Sequence, residues 1–545
     1  VSTTSAEDAK KQEQFLLTFG STFEPFSIVE DECWQEYHRP PFTKAETVSQ
    51  KVLVLGQEKL DHMLSTMGSH DGTARGTFGY DSGTVAAGRF LVVTLTMAKW
   101  KPIIVGVVLD EDAGVKEKDK GRLTAESVGI VLKLCRDVCA KHGISVIASV
   151  ADNAYGMHAE ATELNPGTSL LAGELVTLPG SIRIRCYAHL IASIVKDIDN
   201  HLIASLEIRK KVDKKFKGLL KEGHRETRWN AVHRMVLEAM KFEEHIGEFL
   251  DFHEWAELKT TADLLRPFQI ATDTVQAEHA DCFSALLALE TLTDGCSRLQ
   301  AARDSLKSLH AMFFNDAIIL LIYFAPTTNR AEYEDLRPYA EEKLKQLYKA
   351  HGRETRSSKT LEKELEELHD GRHPRLRGIA RMSSTTYKAG WAKWAGKALP
   401  IIFSLICDIC DIAPTEAGVE RVFSEMKRCV GTLRAGLGGP VVRALLLLKS
   451  YLSWRKRLDN SRKHQTEERA KEKRITKRQG EAAGREKRPE VVAILGSDSG
   501  DSLFDDDGDD VIALPTTENA MMREPCAGEQ SVSVQFTLSI LDKAQ

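Results

Sequence analysis

An α/β fold, with one sheet interrupted by a long all-helical insertion, is what three features of the sequence predict. Short β-rich runs cluster between residues 77 and 186, strand signals vanish between 231 and 395, and apolar character returns from 399 to 454. Residues 1–75 are mixed, with turn chemistry at Pro40-Pro41 and a polar stretch from Ser65 to Gly76, and are read as an accessory segment. Thr77–Tyr80, Phe90–Thr96 and Ile103–Leu109 read as three consecutive strands, each bounded by Gly- or Pro-containing turns. A helix follows over 124–139, because Val128, Val131, Leu132, Cys135 and Cys139 recur at helical spacing and Gly143 ends the run. Ile144–Val150 reads as a fourth strand leading into Asp152, and Ile182–Cys186 as a fifth leading into an amphipathic helix. This order is that of an RNase H-like sheet. It places the first and fourth strands side by side, with Asp81 after one and Asp152 after the other.

The predicted organisation is 1–75 accessory segment, 76–230 first part of the core, 231–395 all-helical insertion, 396–454 core completion, and 455–545 a charged tail. The longest apolar run, Ala317–Ala325, stops at Pro326 and is too short for a membrane helix, which needs ~20 residues. Pro414-Thr415 can start a helix carrying Glu420, with Thr415 as a candidate N-cap. The run Val441–Trp454 leaves little polar face, so it is expected to pack on the helical insertion and to help build a homodimer.

The net charge of -5 conceals an asymmetry in the tail. Residues 455–489 carry 14 Lys/Arg against 6 Asp/Glu, whereas 490–510 carry 8 acids and no base, so the two blocks cancel. The tail is expected to be a charged helix followed by disorder. Its basic clusters Arg455–Arg457, Lys471–Arg474 and Lys477-Arg478 suit a nuclear signal, and Val491–Leu495 beside acids suits strand addition to a small ubiquitin-like modifier. The ten cysteines are scattered, and the start of the chain shows no basic-then-apolar leader, so a reducing intracellular setting is expected. The first residue, Val1, points to a fragment or a processed product.

Phe78-Gly-Tyr-Asp81-Ser-Gly-Thr84, Ser149-Val-Ala-Asp152-Asn-Ala154 and Ala417-Gly-Val-Glu420-Arg-Val-Phe-Ser424 together read as one acidic site. Two strand-end aspartates and a helix-borne glutamate supply oxygen ligands to a pair of Mg²⁺ or Mn²⁺ ions, the arrangement used for phosphoryl transfer. Glu416 and Glu425 compete locally with Glu420, and Asp71 is the alternative to Asp81. Zinc is disfavoured. Cys186 and His189 have no second ligand pair at a suitable spacing, and Cys407-x-x-Cys410 has no partner histidines. Arg209, Lys210, Lys211, Lys214, Lys215, Lys217 and Lys221 form a basic strip suited to phosphate contact or to a solvated face.

Five motifs in order resemble hAT-superfamily transposases over roughly residues 20–455. They are Pro25-Phe-Ser-Ile-Val-Glu30, Ala151–Met157, Cys186-Tyr-Ala-His189, Glu226-Thr-Arg-Trp229-Asn230, and Ala413–Ser424 followed by Arg434 and the apolar helix. The resemblance implies Asp81, Asp152 and Glu420 as a catalytic and metal-binding triad, with DNA as substrate. It also implies His189 near DNA, Trp229 as a base-stacking residue flanked by Arg228, and a C-terminal dimerisation region. Read from the residues alone, Trp229 and His189 are equally compatible with packing roles. The family usually has an aromatic residue where this chain has Gly83, and Ser where it has Val419. The alternative function is a domesticated or decayed transposase that binds DNA and dimerises without catalysis.

Overall fold

The structure, a computed structural model, describes residues 6–22, 44–69, 74–85, 88–98, 100–109, 125–152, 181–201, 203–215, 229–241, 250–277, 280–296, 316–324, 334–351, 360–369, 388–392, 398–429 and 439–486. It is mixed α/β and mostly helical, with one five-stranded mixed sheet. The described residues up to Trp454 form one compact unit, and those from Arg455 belong to a second. No described helix is long and apolar enough to cross a membrane.

Helices α1 (Ala6–Thr22) and α2 (Ala45–Gly68) precede the sheet, which contains β1 (Ala74–Val85), β2 (Gly88–Met97), β3 (Trp100–Leu109), β4 (Ile144–Ala151) and β5 (Ile182–Arg185). The strand order is β3-β2-β1-β4-β5. The first three strands are antiparallel neighbours, while β1–β4 and β4–β5 are parallel, so the first and fourth strands lie side by side as the sequence predicts. Phe90 to Leu95 on β2 are all buried, on both faces of the strand, which explains a run of apolar residues without alternation. Helix α3 (Ala125–Lys141) joins β3 to β4 and buries the predicted stripe Val128, Val131, Leu132, Cys135 and Cys139. Its turn into β4 uses Gly143 at φ +73°.

One expectation fails in a useful way. Asp81 does not follow the first strand; β1 continues through it to Val85, and Asp81 sits opposite Val92 within the ladder. Gly79, inside the predicted strand, and Gly83, beyond its predicted end, both lie within β1.

Helices α4 (Tyr187–His201), α5 (Ile203–Lys215) and α6 (Trp229–Lys241) follow β5. The described elements then remain helical through α7 (Phe252–Gln276), α8 (Cys282–Cys296), α9 (Asp316–Tyr323), α10 (Arg337–His351) and α11 (Leu361–His369). Helices α7 to α11 share one continuous apolar core with β4, β5, α4 and α12 (Pro400–Cys410). Two polar devices organise this core. The buried Glu364 carboxylate accepts from the amides of Ile401 (3.0 Å) and Ile402 (3.0 Å), capping α12 immediately after Pro400. Arg75 at the start of β1 pairs with Asp408 on α12 and donates to the carbonyl of His351.

Helix α13 (Ala417–Cys429) carries Glu420, and α14 (Gly439–Glu486) contains the apolar run. Up to Trp454, α14 packs elsewhere than expected: on α2, β3 and α13. Ala444 meets Gly56, Trp454 stacks on Trp100 with centroids 5.9 Å apart, and Lys449 pairs with Glu425. Val442 and Leu445 to Leu448 are therefore buried within one chain. The contacts that cover this face come from α2, β3 and α13. From Arg455 the helix is charged as predicted. The 487–545 segment, including Val491–Leu495, lies outside the described residues.

Candidate functional site

The register of β1 against β4 decides where the two aspartates lie. Ala74 to Gly76 pair with Ile144 to Val146, but Thr77 pairs with Ala148, so β4 carries one extra residue, Ile147, at a bulge. Beyond the bulge Tyr80 pairs with Ala151, and one step further Asp81 lies beside Asp152. Continuing the first register would set Asp81 opposite Ala151 and turn Asp152 to the other face of the sheet. The bulge therefore puts both carboxylates on one face, on strands ~4.8 Å apart.

That face is covered by α13. A Cβ on Gly79 would lie 3.4 Å from Val419 and 3.8 Å from the Cα of Glu416, while one on Gly83 would come within 2.7 Å of the Phe423 ring. Gly79 and Gly83 flank Asp81 on the same side of β1, so their missing side chains let α13 settle over the aspartate. The Phe423 ring of α13 fills the space beside Gly83. Gly83→Val is expected to displace α13 and to reduce any metal-dependent activity while leaving the sheet folded. Activity and circular dichroism equal to wild type would show that this close approach is not required.

The acids of α13 divide their roles. Thr415 stands one residue before the capping position, and its hydroxyl oxygen accepts from the Ala417 amide at the start of the helix (3.5 Å). Glu416 occupies the capping position: its carbonyl accepts from Val419 (2.7 Å) and Glu420 (3.2 Å), and its side chain is fully buried. The Glu416 Oε1 atom is 2.9 Å from His189 Nδ1, and Asp152 Oδ1 is 3.6 Å from the same nitrogen. Neither Glu416 oxygen nor His189 Nδ1 meets the angular requirement of a hydrogen bond, and the 2.9 Å approach is an ion-pair contact. Glu420 is exposed, yet close enough to Asp81 to affect its titration. Glu425 points to Lys449 and Arg428, away from this cluster.

His189 reaches the site because β5 ends beside β4. The Cys186 amide donates to the Ala151 carbonyl (2.8 Å) and the Tyr187 amide to that of Pro414 (3.2 Å), so the first turn of α4 begins beside both Asp152 and the α13 cap. The ligand atoms of Cys186, His189 and Glu416 all lie within 4.8 Å of one another.

Crowded negative charge shapes the electrostatics. Burial pushes Asp81 up to about 6; the Ser82 amide opposes this, while Asp152 and Glu420 add to it. Burial pushes Glu416 up to about 7, against the stabilising His189 contact and with Asp81 and Asp152 adding to the rise. Burial works against charge on His189, but Cys186 and Glu416 outweigh it and raise the ring to about 12, so the shared proton resides on the imidazole. A carboxyl raised in the folded state contributes stability below its unfolded value and loses it through its folded value. For Asp81 without a bound cation, that loss runs from 3.8 to about 6.

The other sequence-predicted residues are less concentrated. Lys210 pairs with Glu207 (3.1 Å) and Lys211 with Glu254 (2.8 Å), the residue that completes the α7 capping box with Asp251. Lys214 is exposed, whereas Arg209, read as part of the same strip, is buried. Trp229 begins α6, but its side chain and that of Lys215, together with Arg228, Lys217, Lys221 and Asp71, lie outside the described residues. His233, four residues after Trp229, is buried with Nε2 3.1 Å from the Ala262 carbonyl. The residue that sequence reasoning undervalued is Glu416. Its signal was present as a second acid immediately before α13.

No protein-family model matches the sequence, and no curated protein is significantly similar to it.

Proposed function

We propose that this chain is a hAT-like DNA transposase that performs metal-dependent DNA cleavage and strand transfer through Asp81, Asp152 and Glu420 of α13. The observation that carries this reading is the β1–β4 register, which puts Asp81 and Asp152 side by side beneath α13. The order β3-β2-β1-β4-β5, antiparallel and then parallel, agrees with an RNase H-like core. The hAT-type motifs Asp152, Cys186-x-x-His189 and Glu420, distant in sequence, meet at this end of the sheet.

The donor set fits Mg²⁺ or Mn²⁺. Asp81, Asp152 and Glu420 offer only carboxylate oxygens, and a divalent cation offsets the burial, and the neighbouring acids, that raise Asp81. When bound, a pair of such ions stabilises the attacking and leaving oxygens of an in-line displacement at phosphorus. The chain's own residues do the positioning. Asp81 is fixed by the ladder and by the Ser82 amide at 2.6 Å, and Glu420 projects from the exposed side of α13. Lys210 and Lys214 lie on exposed positions of α5, where they can meet the phosphate backbone of DNA. Basic clusters of α14 from Arg455 onward suit nuclear import.

The test is Mn²⁺-dependent nicking of double-stranded DNA by the purified chain, with EDTA as control. Nicking that requires the ion supports the reading. DNA binding without nicking under any divalent ion assigns the alternative, a transposase-derived binding protein without catalysis.

A further inference from the structure

We propose that Cys186, His189 and Glu416 form a transition-metal site of the zinc class, separate in its donor chemistry from the all-carboxylate site and independent of the phosphoryl-transfer reading. The three donors differ in kind: a thiol sulfur, an imidazole nitrogen and a carboxylate, with their ligand atoms within 4.8 Å of one another. This mixture is the one zinc selects, whereas magnesium takes oxygen donors. Zinc bonds of ~2.3 Å to sulfur and ~2.0–2.1 Å to nitrogen and oxygen set tetrahedral donors roughly 3.3–3.7 Å apart, so the triad closes on an ion through small side-chain adjustments.

A second observation points to a missing partner. Glu416 is fully buried at its side chain, yet neither of its carboxylate oxygens has an aligned donor among the described residues, and His189 Nδ1 is likewise without one. A buried carboxylate in that state is costly unless a cation or donor satisfies it. Among the described residues, the His189 ring approaches it to 2.9 Å. An ion between sulfur, nitrogen and oxygen satisfies all three at once. Asp152 Oδ1, 3.6 Å from His189 Nδ1, marks the side on which the fourth position lies, open to that carboxylate or to water.

The Cys-x-x-His pair alone is half a site, and the sequence offers no second pair nearby. The third ligand comes from 227 positions later (416 minus 189), through the contact between the start of α4 and the cap of α13. The Tyr187 amide bonded to the Pro414 carbonyl at 3.2 Å holds these two segments together at the backbone level. Zinc at this point staples the β5–α4 junction to the helix bearing Glu420, and so fixes α13 over Asp81. Binding displaces the Cys186 thiol proton and the His189 ring proton to solvent, leaving thiolate and neutral imidazole as ligands.

The test is metal content of the full chain, not activity. Protein expressed with zinc and washed with a weak chelator is expected to retain one zinc per chain by elemental analysis. Cys186→Ala and Glu416→Gln are expected to lose most of it, whereas Asp81→Asn retains it, because Asp81 belongs only to the carboxylate site. Cobalt substitution of the wild-type chain adds a readout that does not depend on the variants folding: a thiolate-to-cobalt charge-transfer band with tetrahedral visible absorption. Wild-type protein with no retained zinc, or cobalt protein without the thiolate band, overturns the proposal. So does a folded Cys186→Ala variant that keeps its zinc in full.

Discussion

Asp152→Asn is expected to reduce Mn²⁺-dependent DNA nicking by on the order of 10³-fold, the equivalent of several kcal/mol of transition-state charge stabilisation. Asn keeps the shape of the side chain but removes the charge that makes it a strong cation ligand. DNA affinity is expected to stay the same or to rise, since one negative charge leaves a surface that must receive phosphates. The metal-free fold should gain stability as well, because Asp152 is one of the charges that raise Asp81. Gel-based nicking, filter binding and thermal melting on the same preparation separate these effects. Equal nicking by wild type and variant would refute the assignment of Asp152. Loss of binding together with nicking would reassign it to a structural role.

The second large effect concerns stability and lies away from the site. Glu364→Ala is expected to cost about 3 kcal/mol, because it leaves the buried amides of Ile401 and Ile402 without an acceptor at the start of α12. Glu364→Gln should cost less, since its amide oxygen still accepts. Helix α12 carries Asp408, the partner of Arg75 at the start of β1, so the loss propagates toward the sheet. Urea unfolding at neutral pH measures it. A Glu364→Ala variant within about 0.5 kcal/mol of wild type would show that water satisfies these amides and that the cap is dispensable.

Much of the framework was legible because local patterns there are unambiguous. The β-rich runs of β2 and β3 between turn residues, the helical stripe of α3 and the short β5 leading into α4 could be placed from local sequence, and the adjacency of β1 and β4 followed from their order. The failures share a physical origin: each depended on contacts between segments remote in sequence. The first strand reads as ending at Tyr80, before Gly83, because a glycine's low strand propensity is visible locally, whereas the Phe423 ring of α13 that requires Gly83 is not. The bulge at Ile147, which turns Asp152 to the face of Asp81, leaves no composition signal in an apolar run. Glu416 read only as a local competitor of Glu420, and its burial against His189 depends on the fold. The apolar run of α14 indicated that something must cover it, but not that α2 and the β3 edge do so. The basic strip of α5 read as one face because charge counts ignore helical phase, which buries Arg209 and exposes Lys210 and Lys214.

The account depends most on Asp81 and Asp152 forming one cation site on a single face of the sheet. Crystals of the full chain soaked in Mn²⁺, with anomalous scattering recorded at the manganese edge, test this directly. The predicted result is density for a pair of ions ~4 Å apart, bridged by these two carboxylates, with an α13 acid as a further ligand. An empty map at that position under saturating Mn²⁺, or manganese bound only elsewhere on the chain, would contradict it.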